Sequence, residues 1–221
     1  TLFTETTVKN YSQKEKPIVV INNLLDRNNK IVATQKTNIV LSSGETKILK
    51  QTFKNIKNVT LWSLDNPYLY HLVTTINNEN TVLDKDTTAY GIRWISWPIG
   101  KKHTSNQFLL NGKPVFINGI AGYEHAIGKS HAFTKEEIKT RVDMILSAGF
   151  NAFRDAHQPH NLLYQKYWEE KGVLWWPQFS AHIWFDTPAF RKKFISLLKD
   201  WVIERRNNPS IILWGLQNES K

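Results

Sequence analysis

Polar residues with the chemistry of catalysis or binding follow four short apolar segments in the second half of the chain. In chain order they are Glu124 and His125; Arg154, Asp155 and His157; Gln178; and Gln217, Asn218 and Glu219. Carboxyl and imidazole groups can donate and accept protons in a reaction, and guanidinium and amide groups can hold oxygen-rich ligands by hydrogen bonds. We therefore expect the apolar segments to be strands whose ends bring these side chains to one edge of a sheet.

Helices are predicted between these segments, because each intervening stretch carries helix end signals. Thr134 and Glu137 form a capping box ahead of apolar residues at helical spacing, and Gly149 ends that helix. The second helix is predicted from Asn161 to Lys171, with Gly172 after it. The third has Thr187 as N-cap and Pro188 at its first position. Its predicted buried stripe consists of Phe190, Phe194, Leu197, Leu198 and Trp201.

The four predicted strands cover residues 115–117, 152–154, 173–176 and 211–214. Strands that alternate with helices indicate a parallel sheet, either doubly wound or the first half of an eight-stranded barrel. No glycine-rich phosphate-binding fingerprint opens a helix, so dinucleotide binding is unsupported. The polar residues follow the strands, where a TIM barrel carries its active site, and this favours the barrel.

The first part of the chain has a different pattern. Residues 7–11, 17–22, 30–41 and 46–53 read as short strands with polar turns between them. This is typical of an antiparallel β-sandwich of immunoglobulin-like type, although the Cys…Trp…Cys core of antibody domains is missing. We therefore predict a multi-domain β plus α/β fold: an immunoglobulin-like sandwich over residues 1–92, and the first four βα units of a TIM (β/α)8 barrel over residues 93–221.

The charge balance does not indicate a nucleic-acid partner. The chain has 29 Lys+Arg against 19 Asp+Glu, a net charge of +10, but the basic residues are dispersed and no run of four forms a phosphate-tracking stripe. A solvated basic surface explains the charge without such a partner.

The remaining composition narrows the cofactor and compartment classes. Without Cys, neither a disulfide framework nor a Cys-ligated metal site can form, and no cofactor or metal site is predicted. No apolar run is long enough to span a membrane. The sequence starts without an initiator Met or a signal-peptide profile, so we expect either processing or a start inside a longer protein. A periplasmic or secreted bacterial location is favoured, and a cytoplasmic one stays open.

The segment 207–219, Asn-Asn-Pro-Ser-Ile-Ile-Leu-Trp-Gly-Leu-Gln-Asn-Glu, resembles the strand-four motif of glycoside hydrolase family 2, which contains β-galactosidases, β-glucuronidases and β-mannosidases. Other segments are similar to motifs of that family in the same order. They are 61–63 with 66–70 at the end of the sandwich, 90–93 at the entry to the barrel, 108–114 as the hairpin before barrel strand one, and 149–159 around Asn-Ala-x-Arg-x-x-His.

The resemblance implies hydrolysis of terminal β-glycosidic bonds by a retaining mechanism, which uses two carboxyl groups roughly 5 to 5.5 Å apart. By the same resemblance Glu219 is the general acid/base, Asn218 bonds the sugar 2-hydroxyl, His157 touches the sugar and Arg154 orients the carboxylates. The nucleophile would be a second Glu on a later barrel strand, beyond Lys221. A fragment of residues 1–221 is then expected to be inactive alone.

Departures from the family motifs concern substrate specificity. Many members end strand one in Asn-Arg-His-Glu, whereas this chain reads Ala-Gly-Tyr-Glu-His over residues 121–125. Glu124 and His125 remain as substrate-binding candidates, and His125 favours a β-galactosidase-like over a glucuronidase-like substrate. Asp155 and Gln158 replace the usual small hydroxyl residue and Tyr.

Several alternatives stay open at this point. A carbohydrate-binding relative that keeps the barrel face without turnover would carry the same motifs. Taken alone, Arg154 would read as a structural ion pair and His157 as a turn residue before Pro159. Trp214 is predicted to be core, while Trp175, Trp176 and Trp184 are core or sugar-stacking surface. Homo-oligomer formation is also left open.

Overall fold

The computed structural model describes residues 1–79, 81–99, 106–179 and 186–219. The chain forms two compact units, one of residues 1–60 and 69–90 and the other of residues 61–68 with the chain from Gly91 onward. The domain boundary predicted after residue 92 stays a prediction.

The first unit is a sandwich of antiparallel strands. Its strands are β1 (Leu2–Lys9), β2 (Lys16–Leu25), β3 (Ile31–Leu41), β4 (Thr46–Phe53), β5 (Tyr70–Asn78) and β6 (Thr81–Tyr90). One sheet pairs β1 with β4, and the other has the order β3-β2-β5-β6. Apolar side chains at alternate positions of four strands form the core between the sheets: Val8, Ile18, Val20, Leu41 and Leu49. The predicted sandwich is confirmed, although β1 begins at Leu2 rather than Thr7.

A polar network also lies inside this sandwich. Asn22 on β2 is fully buried, and its Nδ2 donates to Gln51 Oε1 at 2.5 Å. Thr74 donates to Asn22 Oδ1, and Gln51 Nε2 donates to Thr37 Oγ1 at 2.7 Å. Because buried polar groups are stable only when hydrogen-bonded, this network links four strands in one register.

The second unit opens with a small antiparallel sheet of β7 (Ile95–Ser96), β8 (Leu109–Leu110) and β9 (Lys113–Pro114). Asn111 and Gly112 make the turn between β8 and β9 with φ of 54° and 78°. Positive φ at both positions is what Asn-Gly supplies in a tight hairpin.

A parallel sheet follows, with the order β10-β11-β12. It is built from β10 (Gly119–Tyr123), β11 (Ala152–Ala156) and β12 (Leu174–Trp176). The prediction of strand one at residues 115–117 is wrong: the strand starts at Gly119, and Phe116 is 86% exposed. Pairing with β11 in the register Gly119↔Ala152 to Tyr123↔Ala156 defines the strand, rather than its local apolarity.

The three predicted helices are present as α1 (Lys135–Ser147), α2 (Leu162–Lys171) and α3 (Pro188–Arg205). The Thr134–Glu137 capping box has both of its hydrogen bonds. Asn161 caps α2, which ends at Gly172 in the left-handed conformation, and Thr187 caps α3. These signals are local in sequence, which is why they could be read directly.

The core of the second unit lies between the parallel sheet and the helices α1 and α2. Its buried aromatic side chains include Phe153, Tyr164, Trp168 and Trp175, and the rings of Phe153 and Trp168 stack at 4.9 Å. Trp175 is thus core. Trp184 lies outside the described residues.

Helix α3 is buried less than its pattern predicts. Trp201 and Arg205 are its buried residues within the described part of the chain, and Leu197 is 44% exposed. The inclusion of Leu197 in a buried stripe is therefore wrong. Trp214, predicted to be core, is 37% exposed and lies edge-on to Trp201.

The predicted fourth strand is irregular. The segment lies parallel to β12 but forms only isolated bridges there, Trp175↔Ile211 and Gln178↔Gly215. Trp175 N donates to Ser210 O at 2.7 Å and Ile212 N to Trp175 O at 3.0 Å. The ladder resumes where Gly215 N donates to Pro177 O at 2.9 Å, so a continuous strand over 211–214 is not formed.

Candidate active site

The strand register brings the predicted site residues to the carboxyl edge of the parallel sheet. Ala121 pairs with Arg154, and Arg154 pairs with Trp176. The next residues along these strands, and the segment after Gly215, therefore leave the sheet at the same edge. This is where a parallel α/β sheet binds its ligands.

Arg154 connects three segments at this edge. Its Nη2 donates to Gln178 Oε1 at 3.1 Å and to Asn218 Oδ1 at 2.8 Å. Its guanidinium lies over the ring of Trp176, 4.5 Å from the ring centroid. The arginine thus ties β11 to the end of β12 and to the segment that carries Asn218 and Glu219.

A cavity of about 320 Å³ opens on the face of the sheet to which Arg154 points. Its wall is mostly apolar, with Arg154 as the charged side chain among residues that include Ile120, Leu174, Trp176 and Ile212. Trp176 is therefore part of the wall of this cavity rather than of the helix-side core. An apolar wall with few polar groups is the usual make-up of a small-molecule site.

Asn218 and Glu219 differ in their surroundings. Asn218 is half-buried and accepts the bond from Arg154, whereas Glu219 is exposed. Glu219 has a left-handed backbone, with φ of 47°. The Asn218 amide is thus hydrogen-bonded to Arg154, whereas the next residue, Glu219, is exposed at the surface.

Glu124 is directed at the start of α2. It is 5% exposed, and both of its carboxylate oxygens accept from the backbone N–H of Asn161, at 3.1 and 3.0 Å. Burial raises the pKa of Glu124, while this hydrogen bond and the positive charges of His131 and Arg141 lower it. A carboxylate at a helix N-terminus is favourably placed in the helix dipole, so Glu124 joins strand one to α2.

The histidines of the site edge form two separate contacts. His157 is half-buried, and its ring meets the exposed ring of Tyr123 edge-on at 5.2 Å. His125 is exposed and lies 5.9 Å from the ring of His131, which Gln158 also contacts at 3.4 Å. Their roles toward a substrate stay predictions.

Arg141 on α1 also reaches this edge, although no motif of the sequence indicates such a role. Its Nη2 donates to Tyr123 O at 2.7 Å. A Cβ atom at Gly122 would lie 2.8 Å from that nitrogen. Strand one lacks the arginine that the family motif carries there, and α1 supplies a guanidinium at the glycine instead.

Asp155 is a second residue for which no role was predicted. Its side chain is almost fully buried on the helix side of β11, and its Oδ1 accepts from Trp175 Nε1 at 2.9 Å. Burial raises the pKa of this carboxyl to about 7, against smaller opposing effects led by the Trp175 hydrogen bond. A sequence signal existed, since an acidic residue beside Arg154 must face the opposite side of the strand.

Two features are absent from the part of the chain that the structure describes. No group of three His, Asp or Glu residues is arranged to hold a metal ion. No described helix has the length and apolarity needed to cross a bilayer.

Known proteins of similar sequence include named glycosidases. A putative beta-glucuronidase of Formosa agariphila is 30% identical over 208 residues, covering 91% of this chain and 25% of the relative. A beta-galactosidase of Alteromonas mediterranea is 27% identical over 198 residues, covering 86% of this chain and 18% of the relative. The chain therefore spans about a quarter or less of the length of these relatives.

A solved structure has the same fold. A glycosyl hydrolase family 2 member from Bacteroides cellulosilyticus superposes with a TM-score of 0.87 at 25% identity, covering 99% of this chain and 29% of that one. The predicted fold class, a sandwich followed by the start of a barrel, is confirmed by this match.

Two family models cover nearly the whole sequence. The model for Glycosyl hydrolases family 2 matches residues 1–93, and the model for the TIM barrel domain of Glycosyl hydrolases family 2 matches residues 102–221. With an immunoglobulin-like sandwich, the start of a barrel and a carboxyl-edge site that agree with these matches, the chain belongs to glycosyl hydrolase family 2.

Proposed function

We propose that the protein containing this chain hydrolyses terminal β-glycosidic bonds by a retaining double displacement, with Glu219 as general acid/base. The nucleophile in this proposal is a glutamate outside residues 1–221. The proposal is supported by family membership, by relatives named as beta-glucuronidase and beta-galactosidase, and by the accessibility of the Glu219 carboxyl.

The observation that carries the proposal is the 2.8 Å hydrogen bond from Arg154 to Asn218. It holds the residue next to Glu219 against Arg154 of β11, a residue that lines the apolar cavity. Acid catalysis requires a carboxyl held at one position relative to the leaving oxygen. Arg154 supports such placement from a rigid strand rather than from a loop.

In the first step, the nucleophile attacks the anomeric carbon, the glycosidic C–O bond breaks, and Glu219 gives its proton to the departing oxygen. In the second step, Glu219 as carboxylate takes a proton from water, and the water oxygen displaces the nucleophile from the anomeric carbon. Asn218 in this scheme donates through Nδ2 to the sugar 2-hydroxyl, because its Oδ1 is already engaged by Arg154.

The substrate class we propose is a β-galactoside. Support comes from the exposed side chain of His125 at the end of strand one, a residue that the family resemblance associates with galactosides, and from the named β-galactosidase relative. A relative named as a putative beta-glucuronidase marks the competing class. Faster hydrolysis of aryl β-glucuronides than of aryl β-galactosides by the full-length protein would contradict this substrate assignment.

The mechanism is tested with Glu219→Ala in the full-length protein. Only poor leaving groups need the proton, so kcat/KM should fall about 10²- to 10⁴-fold for alkyl galactosides and far less for dinitrophenyl galactoside. Azide should restore turnover of the activated substrate and yield the β-galactosyl azide. Equal losses for both substrates without azide product would assign the acid/base elsewhere, and sugar binding by a wild-type protein without turnover would favour the non-catalytic carbohydrate-binding alternative.

A further inference from the structure

We propose that Asp155 is a positioning residue for the active site, which holds the end of β12 against β11 from behind the sheet. The inference rests on the proposed function, since it concerns the placement of the same acid/base. Asp155 itself cannot touch a substrate in the cavity, because its side chain is 1% exposed and faces the helices.

The argument starts from the alternation of side chains along β11. Arg154 points to the cavity side and Asp155 to the helix side, as successive residues of a strand must. Both residues contact the end of β12: Asp155 Oδ1 accepts from Trp175 Nε1 at 2.9 Å, and Arg154 lies over the ring of Trp176 and donates to Gln178 Oε1 at 3.1 Å. The end of β12, which carries the fully buried Gln178, is therefore held from both faces of the sheet.

The Asp155 carboxyl also lies close to the loop after β11. Its Oδ1 is 3.5 Å from Nδ1 of His160. His160 closes the short loop after β11 that contains His157. One buried carboxyl thus links the end of β11, the end of β12 and this loop.

From Gln178 the contacts continue to the proposed acid. Gln178 Oε1 and Asn218 Oδ1 accept from the same Arg154 nitrogen, at 3.1 and 2.8 Å. A displacement of Gln178 therefore changes the position of the guanidinium that holds Asn218, the residue directly before Glu219. Displacements of about 1 Å at a reacting group can lower a rate about 10²-fold.

The charged and titratable groups around Asp155 come from three sides. His160 Nδ1 lies 3.5 Å away, and burial lowers the pKa of His160 to about 4, so the imidazole is neutral at pH 7. Arg205 on α3 attracts the charged form of Asp155, and burial raises the pKa of Tyr164 on α2, with a smaller contribution from Asp155. Arg205 is thus the cationic neighbour of Asp155, and Trp175 is its hydrogen-bond donor.

The test compares leaving groups in the full-length enzyme. Asp155→Ala should lower kcat about tenfold for an alkyl galactoside and about twofold or less for dinitrophenyl galactoside, with KM nearly unchanged, because a misplaced acid matters only where a proton is needed. Asp155→Asn keeps one acceptor for Trp175 and should shift the ratio of the two rates about threefold. The asparagine variant decides the question if the alanine variant does not fold.

Glu169→Gln is the matched control. It removes another buried carboxyl, on α2 near the opposite end of the sheet, where the Glu169 carbonyl accepts from Trp62 Nε1. The control should leave the ratio of the two rates unchanged. An unchanged ratio in a folded Asp155 variant would overturn the positioning role, whereas a wild-type enzyme without hydrolysis would overturn the proposed function itself.

Discussion

At the residue scale, the partners of Arg154 and Asp155 explain why neither residue could exchange its role with the other. Arg154 is half-buried, and its planar guanidinium donates to Gln178 Oε1 and Asn218 Oδ1 while it lies over the ring of Trp176. Asp155 lies in the core, where the hydrogen bond from Trp175 Nε1 offsets part of the lost solvation. The strand thus presents a ligand-side cation and a core-side acid in consecutive positions.

Glu169 gives a pH prediction at the same scale. Burial raises its pKa to about 8, with a smaller contribution from Glu170. Because the pKa of Glu169 is higher in the folded than in the unfolded state, its protonated form favours folding. This contribution to stability is fully present below pH 4.5 and is lost as the pH rises through about 8. Glu169→Gln should have the same thermal midpoint as wild type at pH 5. At pH 9 its midpoint should be higher, which corresponds to a gain in unfolding free energy of about 2 to 4 kcal/mol.

Glu137 provides a control of opposite sign. Hydrogen bonds from Lys129 and from the backbone N–H of Thr134 lower the pKa of this exposed carboxyl. Its contribution is therefore present above its ordinary pKa and lost as pH falls, and Glu137→Gln should lower the midpoint at pH 9 more than at pH 3. Calorimetric midpoints that respond equally to pH in wild type and Glu169→Gln would contradict the assignment of Glu169.

Sequence could identify some residues of the site but not their contacts. Arg154 and Asn218 were both named from their motifs, yet their hydrogen bond depends on how the segment after Gly215 returns to β11, 64 positions away in sequence. The bond between Asp155 and Trp175 likewise depends on the parallel register of β11 and β12. Such pairings are properties of tertiary structure, and no local pattern encodes them.

At the element scale, the same contrast separates helices from strands. The ends of α1 and α2 were predicted to within a residue, because a capping side chain or an αL glycine acts within one turn. Strand one was misplaced because Val115, Phe116 and Ile117 are apolar whereas β10 contains two glycines. Its edge position and parallel partner, rather than its composition, make it a strand.

Gly172 gives a prediction at this scale. It ends α2 with φ of 73°, and a Cβ atom there would lie 2.4 Å from the carbonyl oxygen of Leu64. Gly172→Ala therefore meets both a strained backbone, which costs about 1 to 2 kcal/mol, and a clash with main chain that cannot turn aside. We expect a loss of unfolding free energy above about 2 kcal/mol, read as a drop in the thermal midpoint.

The matched control is Gly149→Ala at the end of α1. Gly149 has φ of 84°, and no atom lies within 4 Å of its added Cβ. Only the backbone strain applies, so the loss should be about 1 kcal/mol. Similar midpoints for the two variants would show that the loop containing Leu64 moves away without cost, and that the close approach to Gly172 has no energetic role.

At the scale of the whole molecule, the described parallel sheet has two open sides. One is β10 and the other is the irregular segment beside β12. The cavity face between them carries apolar side chains, with Ile120 37% exposed. A closed barrel has no free edges, and apolar surface left in water forgoes roughly 25 cal/mol per Å² of burial.

The last prediction therefore concerns a polypeptide of residues 1–221 by itself. Unpaired backbone groups at a sheet edge can pair with strands of other molecules. We therefore expect the polypeptide 1–221 to self-associate through the segment 211–217 or to need the rest of a barrel to stay soluble. A polypeptide of residues 1–92 should instead be a folded monomer, because the strands of the sandwich and its buried core lie within residues 2–90. Trp62, which is fully buried among residues of the second unit, should then fluoresce as an exposed indole. Sedimentation velocity and amide exchange measure both outcomes. A monomer of 1–221 with slow exchange throughout 211–217 would contradict this prediction. It would show that the four βα units are stable by themselves and that the irregular segment beside β12 is a stable edge without a further strand.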